Sequence, residues 1–380
     1  GINREYVIGQ ASLFARFQRI KRGVTESIDL LNDPTEENIN KVDALLDKAR
    51  KSAVNLFDPG LRFTDFKRGS TFLDQNDDDV FDCGIKELDS MKLGPARKTL
   101  HLIAALYGKG KTHWLIGCVG KRALMTRKRV LHITLEMAEE KVYKRYCTAL
   151  FSITRRKEEV SYMRFKGDEL GRFVSFKERR IQSRPSYEDD NIRPFLREKI
   201  KGFEKRPGLI IKQFPTGSLT ISELKAYLDA LEGTANFMPD ILIIDYPDLM
   251  QFDARYERQE LSRIYKELRG IGMERNIAVA AVTQANREGE YTKQISGRHI
   301  GKDFDKLATV DVFITYSQTD AEHDLGLARL YVGKGREEKD RFTILISQAY
   351  SIGQFCTDSV MMSNTYWGAI SGDDAEESEE

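Results

Sequence analysis

Residues 100–112 read LHLIAALYGKGKT, and two changes of chemistry inside this stretch decide the fold. Leu100 to Ala105 is a short apolar run, the pattern of a strand buried on both faces. Gly108 and Gly110 follow, where the backbone can wrap closely, and a helix opens at Thr112. A strand that passes through a Gly/Lys loop into a helix N-terminus points backbone N–H groups and the positive end of a helix dipole at one place, as a chain of phosphates requires. The candidate nucleotide-binding residues are therefore Ala105, Tyr107, Gly108, Lys109, Gly110, Lys111 and Thr112. Lys111 is placed to reach β and γ phosphates and Thr112 to ligate Mg²⁺. The strict form of this loop begins with Gly, and here the position is Ala105.

Downstream of this stretch, strand patterns alternate with helical ones: VLHITLE (130–136), LIIKQFP (209–215), ILIID (241–245), IAVAAVTQ (277–284), DVFITYS (311–317), ARLYVGK (328–334) and RFTILISQ (341–348). The last two are close enough to form a hairpin. One helix is expected from about Ala138, and another is opened by a capping box, Thr220 with Glu223. Alternation with apolar strands predicts an α/β class and a mainly parallel sheet covered by helices. Toward the N-terminus, Phe14, Phe17, Ile20, Val24, Ile28 and Leu31 recur at helical spacing, and Pro34 opens a second helix striped by Val42, Leu45, Leu46 and Ala49. Two such helices are too short for a core of their own and are expected to dock on something. Residues 56–79 read as a polar connector. The expected division is a helical linker or oligomerisation segment over 1–62, an α/β domain over 63–368 and an acidic, disordered tail over 369–380.

The 380 residues, 41% hydrophobic and 31% charged, have the composition of a soluble globular chain. No apolar run approaches the ~18–20 residues that span a membrane. The start, GINREYVIGQ, has no Met and no leader pattern, which leads us to expect a fragment or processed chain and a cytoplasmic setting. Cys83, Cys118, Cys147 and Cys356 form no CxxC pair, against zinc and against a disulfide framework. The net charge of +1 hides six carboxylates in the last ten residues; without them 60 bases face 53 acids, a balance of +7. A basic body is compatible with nucleic acid, and the tail equally with simple solubilisation.

Five further residues carry candidate chemistry. Asp245 ends an apolar strand, where a carboxylate can hold Mg²⁺ beside the phosphates. Glu136 ends another, where it can orient and deprotonate a water or, alternatively, only stabilise a helix start. Gln284 ends a third, as a γ-phosphate sensor or an ordinary loop amide. Lys334 and Arg336 lie on one side of an extended strand, as cations offered to a neighbour's phosphates or as a solvated strand end.

Taken in order, GIKELDSM, AALYGKGKT, HITLEMAEEKVYKR, DYPDLM, AVTQANRE and YVGKGREEKD resemble the C-terminal motor domain of DnaB-like helicases, a RecA-like P-loop NTPase core, from about Phe81 to Gln354. The resemblance implies ATP and Mg²⁺ as cofactors and Glu136 as base. It also implies Asp245 for the metal, Gln284 as sensor, and Lys334 and Arg336 acting in trans. It places the Glu136 strand next to the phosphate-loop strand, and makes the helix over 12–31 a linker that packs on the next subunit of a homo-hexamer. Single-stranded DNA is the implied track, with a primase or loader as further partner. The implied DNA-contacting loops hold Arg255 and Arg258 in one, and Arg287, Lys293, Arg298, Lys302 and Lys306 in the other; ordinary surface loops would look the same. Pro247 stands where the family usually has Leu, and residues 151–205 are long, charged and unlike it. The expected activity is ATP-driven unwinding of duplex at a replication fork. The rivals are a RecA- or KaiC-like ATPase that assembles without unwinding, and a DNA-bound scaffold that does not hydrolyse.

Overall fold

The structure, a computed structural model, describes residues 4–33, seven residues between 35 and 45, 80–108, 110–181, 184–203, 208–285, 305–335 and 340–371. The chain divides into two units, Gly1–Asn76 and Asp77–Glu380. The described part of the first is the helix α1 (Arg4–Leu31) and helical residues between 36 and 45. Along α1 the apolar line Phe14, Phe17, Ile20, Val24, Ile28 and Leu31 is exposed, from 41% at Ile20 to 64% at Phe14. Pro34, Leu46, Ala49 and the connector over 56–79 lie outside the described residues.

The second unit runs α2 (Lys86–Ser90), β1 (Leu100–Ala105), α3 (Lys111–Trp114), a π-helical segment (Leu115–Gly120), α4 (Lys121–Met125), β2 (Val130–Thr134), α5 (Glu139–Phe151), β3 (Val160–Gly167) and β4 (Phe173–Ile181). It continues through α6 (Ile192–Lys201), β5 (Leu209–Gln213), α7 (Ile221–Ala235), β6 (Ile241–Asp245), α8 (Glu257–Arg275), β7 (Ala278–Gln284) and α9 (Asp305–Thr309). β8 (Val312–Ser317), α10 (Asp320–Asp324), β9 (Leu327–Lys334), β10 (Phe342–Ala349), β11 (Gln354–Met361) and α11 (Tyr366–Ser371) complete it. Nine strands form one sheet in the order β11-β10-β9-β8-β1-β7-β6-β2-β5. From β8 to β5 all neighbours are parallel, and β9, β10 and β11 are added antiparallel. The expected β9–β10 hairpin is present.

Burial on both faces explains why the central strands are apolar throughout. In β1, Ile103 and Ala105 join the cluster under α3–α5, while Leu100, Leu102 and Ala104 join the one under α7 and α8. Gly120 lets the π segment close on α5, because a Cβ there would overlap the Tyr146 hydroxyl. The capping box of α7 forms as read: Thr220 Oγ1 accepts from Glu223 N at 3.1 Å and Glu223 Oε2 accepts from Thr220 N at 2.7 Å.

One expectation is corrected. β2, the strand leading to Glu136, does not adjoin β1; β7 and β6 stand between them. The crossover from β1 to β2 leaves a gap two strands wide. The later strands ILIID and AVAAVTQ, apolar enough to be covered on both faces, fill it. The region 151–205 contributes the β3–β4 hairpin and α6, and β11 was likewise unread in the sequence. No helix among the described residues is long and apolar enough to cross a membrane.

The antiparallel end is pinned by a fully buried ion pair: Arg329 Nε donates to Glu322 Oε1 at 2.6 Å, and the Tyr366 hydroxyl donates to the same oxygen at 2.8 Å. Glu322→Gln leaves the Arg329 guanidinium buried without this counter-charge. We predict a loss of about 3–5 kcal/mol, the scale for breaking a buried pair, read as a lowered denaturant midpoint. An unchanged midpoint would show that the pair holds nothing.

Candidate functional site

β1 ends at Ala105, whose carbonyl accepts from Ala285 N at 3.0 Å, so this residue belongs to the sheet and its side chain to the core. The loop then turns through Gly108 (φ 71°) and Gly110 (φ 75°), both in the left-handed region that favours glycine. Nothing stands within 4 Å of a Cβ built on Gly108, whereas one on Gly110 would press on the Tyr350 hydroxyl. Lys109 lies outside the described residues. Tyr107 is exposed at the rim.

Lys111 is buried, yet among the described residues its Nζ finds one distant acceptor, the Leu106 carbonyl at 3.5 Å, and the rings of Tyr107 and Tyr246 at 5.9 and 5.7 Å. Burial pushes its pKa down, against the pull of Glu136, Asp245 and Asp248. This is an ammonium short of anionic partners at hydrogen-bonding distance. Beside it, Thr112 Oγ1 donates to Asp245 Oδ2 at 2.7 Å. Asp245 is fully buried, its Oδ1 has no hydrogen-bond partner, and burial raises its pKa to about 6. A carboxylate with an orphaned oxygen beside a hydroxyl is a hard-oxygen donor set suited to Mg²⁺. No group of three or more His, Cys, Asp or Glu able to hold a metal occurs among the described residues. A cation here therefore has to share its shell with something else, as Mg²⁺ does with phosphates.

Glu136 stands two residues beyond Thr134, which is in register with Asp245. It is exposed, and its charge acts on Lys111, Asp245 and Tyr246. The first-turn acids of α5 are Glu139 and Glu140, so Glu136 lies outside that helix. Gln284 is in register with Ala105 at the mouth of the loop and is exposed. Lys334 donates to three carbonyls at the end of α9, Leu307 at 3.1 Å, Ala308 at 3.3 Å and Val310 at 2.6 Å; a neighbour's phosphate would have to compete with them. Arg336, Arg287, Lys293, Arg298 and Lys302 lie outside the described residues. Arg255 is exposed and bound to Asp253 at 2.7 Å, with its guanidinium 6.0 Å from the exposed Tyr256 ring; Arg258 is exposed on α8. Lys306 is a correction: it is buried, and its Nζ donates to Asp248 Oδ1 at 2.8 Å, so it is no loop cation. Burial was not visible in a stretch that read as a basic loop.

Several groups at the site carry no sequence signal of their own. Arg145 on α5 is half-buried, with Asp245, Glu136 and Arg155 in its field. His113 is held neutral, its pKa lowered to about 4 by burial and by Arg145 and Arg155. A cleft of about 490 Å³ opens beside the loop, lined by Tyr107, Gly110, His113, Arg155, His323 and Tyr350. Asp248 accepts from Tyr265, Thr283 and Lys306. A roomier cavity of about 660 Å³ lies between α5, α6 and β5; among the described residues its lining is apolar with two Glu and no cation, which does not suit phosphate.

Comparison with known proteins agrees with this geometry. Residues 81–297 match the family of the DnaB-like helicase C-terminal domain. The chain is 23% identical over 211 residues to the replicative DNA helicase DnaB of Nostoc sp. (strain PCC 7120), covering 54% of this chain and 20% of that protein. It is 22% identical over 237 residues to the DnaB-like replicative helicase of Enterobacteria phage T4, covering 60% of this chain and 44% of that one. Less than half the length of these curated relatives is thus matched. A solved DnaB-like replicative helicase, described with its interactions with primase, superposes with a TM-score of 0.64 at 16% identity, over 94% of this chain and 78% of that one. A second solved structure, an isolated ATPase domain, gives 0.57 at 16% identity, over 78% of this chain and 99% of that one. At such identity the superpositions establish the fold alone, an α/β core built on one mainly parallel sheet.

The buried carboxylate makes a test without any ligand. Because the folded chain holds the Asp245 proton more tightly than the unfolded one, stability falls as pH rises from about 3.8 to about 6 and stays reduced above it. Asp245→Asn removes that penalty and keeps an acceptor for Thr112. We predict a more stable ligand-free protein at pH 7.5, by at most about 3 kcal/mol, with the gain vanishing below pH 4. A destabilised Asn variant at pH 7.5 would contradict the burial argument.

Proposed function

Because the chain belongs to the DnaB-like helicase C-terminal domain family, we propose that it is an ATP-hydrolysing motor that moves along single-stranded DNA as a homo-hexamer and unwinds duplex at a replication fork. The observation that carries this is the Thr112–Asp245 hydrogen bond beneath a glycine loop, with a second carboxylate oxygen left bare. Gly108 and Gly110 shape the backbone around the phosphates, and Lys111 supplies the cation to them. Mg²⁺, held by Thr112 and Asp245, would neutralise charge on the phosphates. Glu136, outside its helix and facing the same charges, accepts the proton of the attacking water. Gln284 reports the γ-phosphate to the chain that follows. Arg336, with Lys334, completes the site of the neighbouring subunit. The cleft lined by His113, Arg155 and Tyr350 has room for base and ribose.

Six exposed apolar side chains on α1 need a cover, and a neighbouring subunit supplies it. Arg255 and Tyr256 offer a cation and a ring to a single strand, joined by Arg287, Lys293, Arg298 and Lys302. The setting is the cytoplasmic replication machinery of a bacterium or virus, with a primase or loader as partner. An ATPase of the RecA or KaiC kind that assembles without unwinding is the second reading. A forked substrate separates the two, since only the first displaces a strand when ATP is added.

Glu136→Gln keeps shape and hydrogen bonding and loses the base. Nucleotide binding should persist while ATP turnover falls roughly 10²–10⁴-fold; turnover within threefold of wild type would remove Glu136 from the chemistry. Ile20→Asp with Val24→Asp places charge on the α1 line. In sedimentation this variant should shift from hexamers to smaller species with nucleotide affinity intact, and hexamers at low concentration would rule out that interface.

A further inference from the structure

The hairpin β3–β4 has two unlike faces. On one, Met163, Phe165, Phe173 and Phe176 pack against Val360 and Tyr366, and Phe165 N donates to Asp358 Oδ2 on β11 at 2.8 Å. The other face follows from the antiparallel register, which pairs Tyr162 with Arg179, Arg164 with Lys177 and Lys166 with Ser175. At its base Tyr162 packs with Val160 and Ile352. Beyond that base it presents Arg164, Lys166, Lys177 and Arg179, all exposed.

Three of the hairpin's nearby acids are already engaged. Asp168 bonds Arg172 at 3.0 Å, and Glu178 and Glu159 lie 3.7 and 3.8 Å from Arg180. No acidic side chain among the described residues pairs with any of the other four cations. Arg164 and Lys177 face each other directly across the strands, a like-charge pair that destabilises a sheet by itself. Such a face is stable only because its reverse is bolted to the sheet, and it is neutralised best by a polyanion. Alternate residues on a strand are about 7 Å apart and directly paired ones about 5 Å, so the four charges form a compact, rigid lattice.

We propose that this face of β3–β4 is a docking surface for the phosphate backbone of duplex DNA, separate from the nucleotide site and from the loops that follow β6 and β7. Duplex is favoured over single strand because the face carries cations but no free ring for base stacking, Tyr162 being committed to its own cluster. Contacts to phosphate oxygens carry no sequence information. The contact is therefore sequence-independent. It rests on the reading that this chain works on DNA.

The test compares the full chain with a variant carrying Arg164→Gln, Lys166→Gln, Lys177→Gln and Arg179→Gln. Binding to a blunt duplex and to a single strand of equal length is followed by fluorescence anisotropy over a range of salt. Each lost phosphate contact should flatten the duplex slope of log K against log salt by about 0.9. Four losses predict a change of about 3–4 and at least a tenfold weaker duplex affinity, with single-strand binding and ATP turnover unchanged. Arg172→Gln with Arg180→Gln removes acid-paired cations of the same hairpin and should leave duplex binding near wild type. An unchanged duplex slope overturns the proposal, as does equal loss on both substrates or an equal loss per removed charge in the acid-paired control. A wild type that binds single strands but not duplex overturns this surface and leaves the motor reading standing. One that binds neither overturns both.

Discussion

The hydrogen bond from Thr112 to Asp245 spans two strand widths, and much of the large unit is arranged to permit it. Thr112 sits at the start of the helix that follows β1, while Asp245 ends β6, with β7 between them. The helix must lie low over β7 for the two side chains to meet. β7 turns the small side chains Ala278 and Ala280, with Val282, toward that helix. Small residues on the strand let the helix approach it, and the polar pair at the top is the result. A buried carboxylate that keeps one oxygen bare is costly, so its persistence under the phosphate loop is the mark of a site shaped to receive a cation.

Much of this was legible in the sequence because it depends on local chemistry. Strands buried on both faces are apolar runs, and LHLIAA and ILIID coincide with β1 and β6 to the residue. The capping box is a three-residue rule and formed as read. What escaped depends on long-range packing. The order of strands was misjudged at β2, since nothing within VLHITLE says which later strands will be inserted beside it. The β3–β4 hairpin was hidden because its outward residues are charged, leaving short apolar alternation that does not read as a strand. Arg145 and Asp248 look like any helix Arg and any turn Asp until the fold surrounds them.

Counting cations in a sequence says little about which are free, because partners decide that. Lys306 and Lys334 both fall in stretches that read as basic. Yet one is buried against Asp248 and the other caps the carbonyls of α9. Both contacts help to fix a short helix in this chain. Arg255, by contrast, pairs among the described residues with its neighbour Asp253 in full solvent, where water screens the interaction and a phosphate can replace it. Arg164, Lys166, Lys177 and Arg179 have no such acid among the described residues. Sorting the bases by burial and by acid contact turns a mild excess of charge into a small number of defined surfaces.

The turn after β6 gives this sorting its mechanical meaning. Asp245 bonds Thr112 beside the glycine loop, while Asp248, three residues on, turns to other partners. Asp248 binds Thr283, one residue before Gln284, and Lys306, in the helix that begins at Asp305. These two partners bracket residues 286–304. The same carboxylate thus holds the chain on both sides of that stretch, and Tyr265 of α8 fixes the carboxylate in turn. Lys334 secures the far end of α9, so the helix cannot slide without breaking bonds to three carbonyls. Asp248 thus ties the end of β7 and the start of α9 to the turn that follows Asp245, so one carboxylate links both elements to the strand that carries the Thr112 partner.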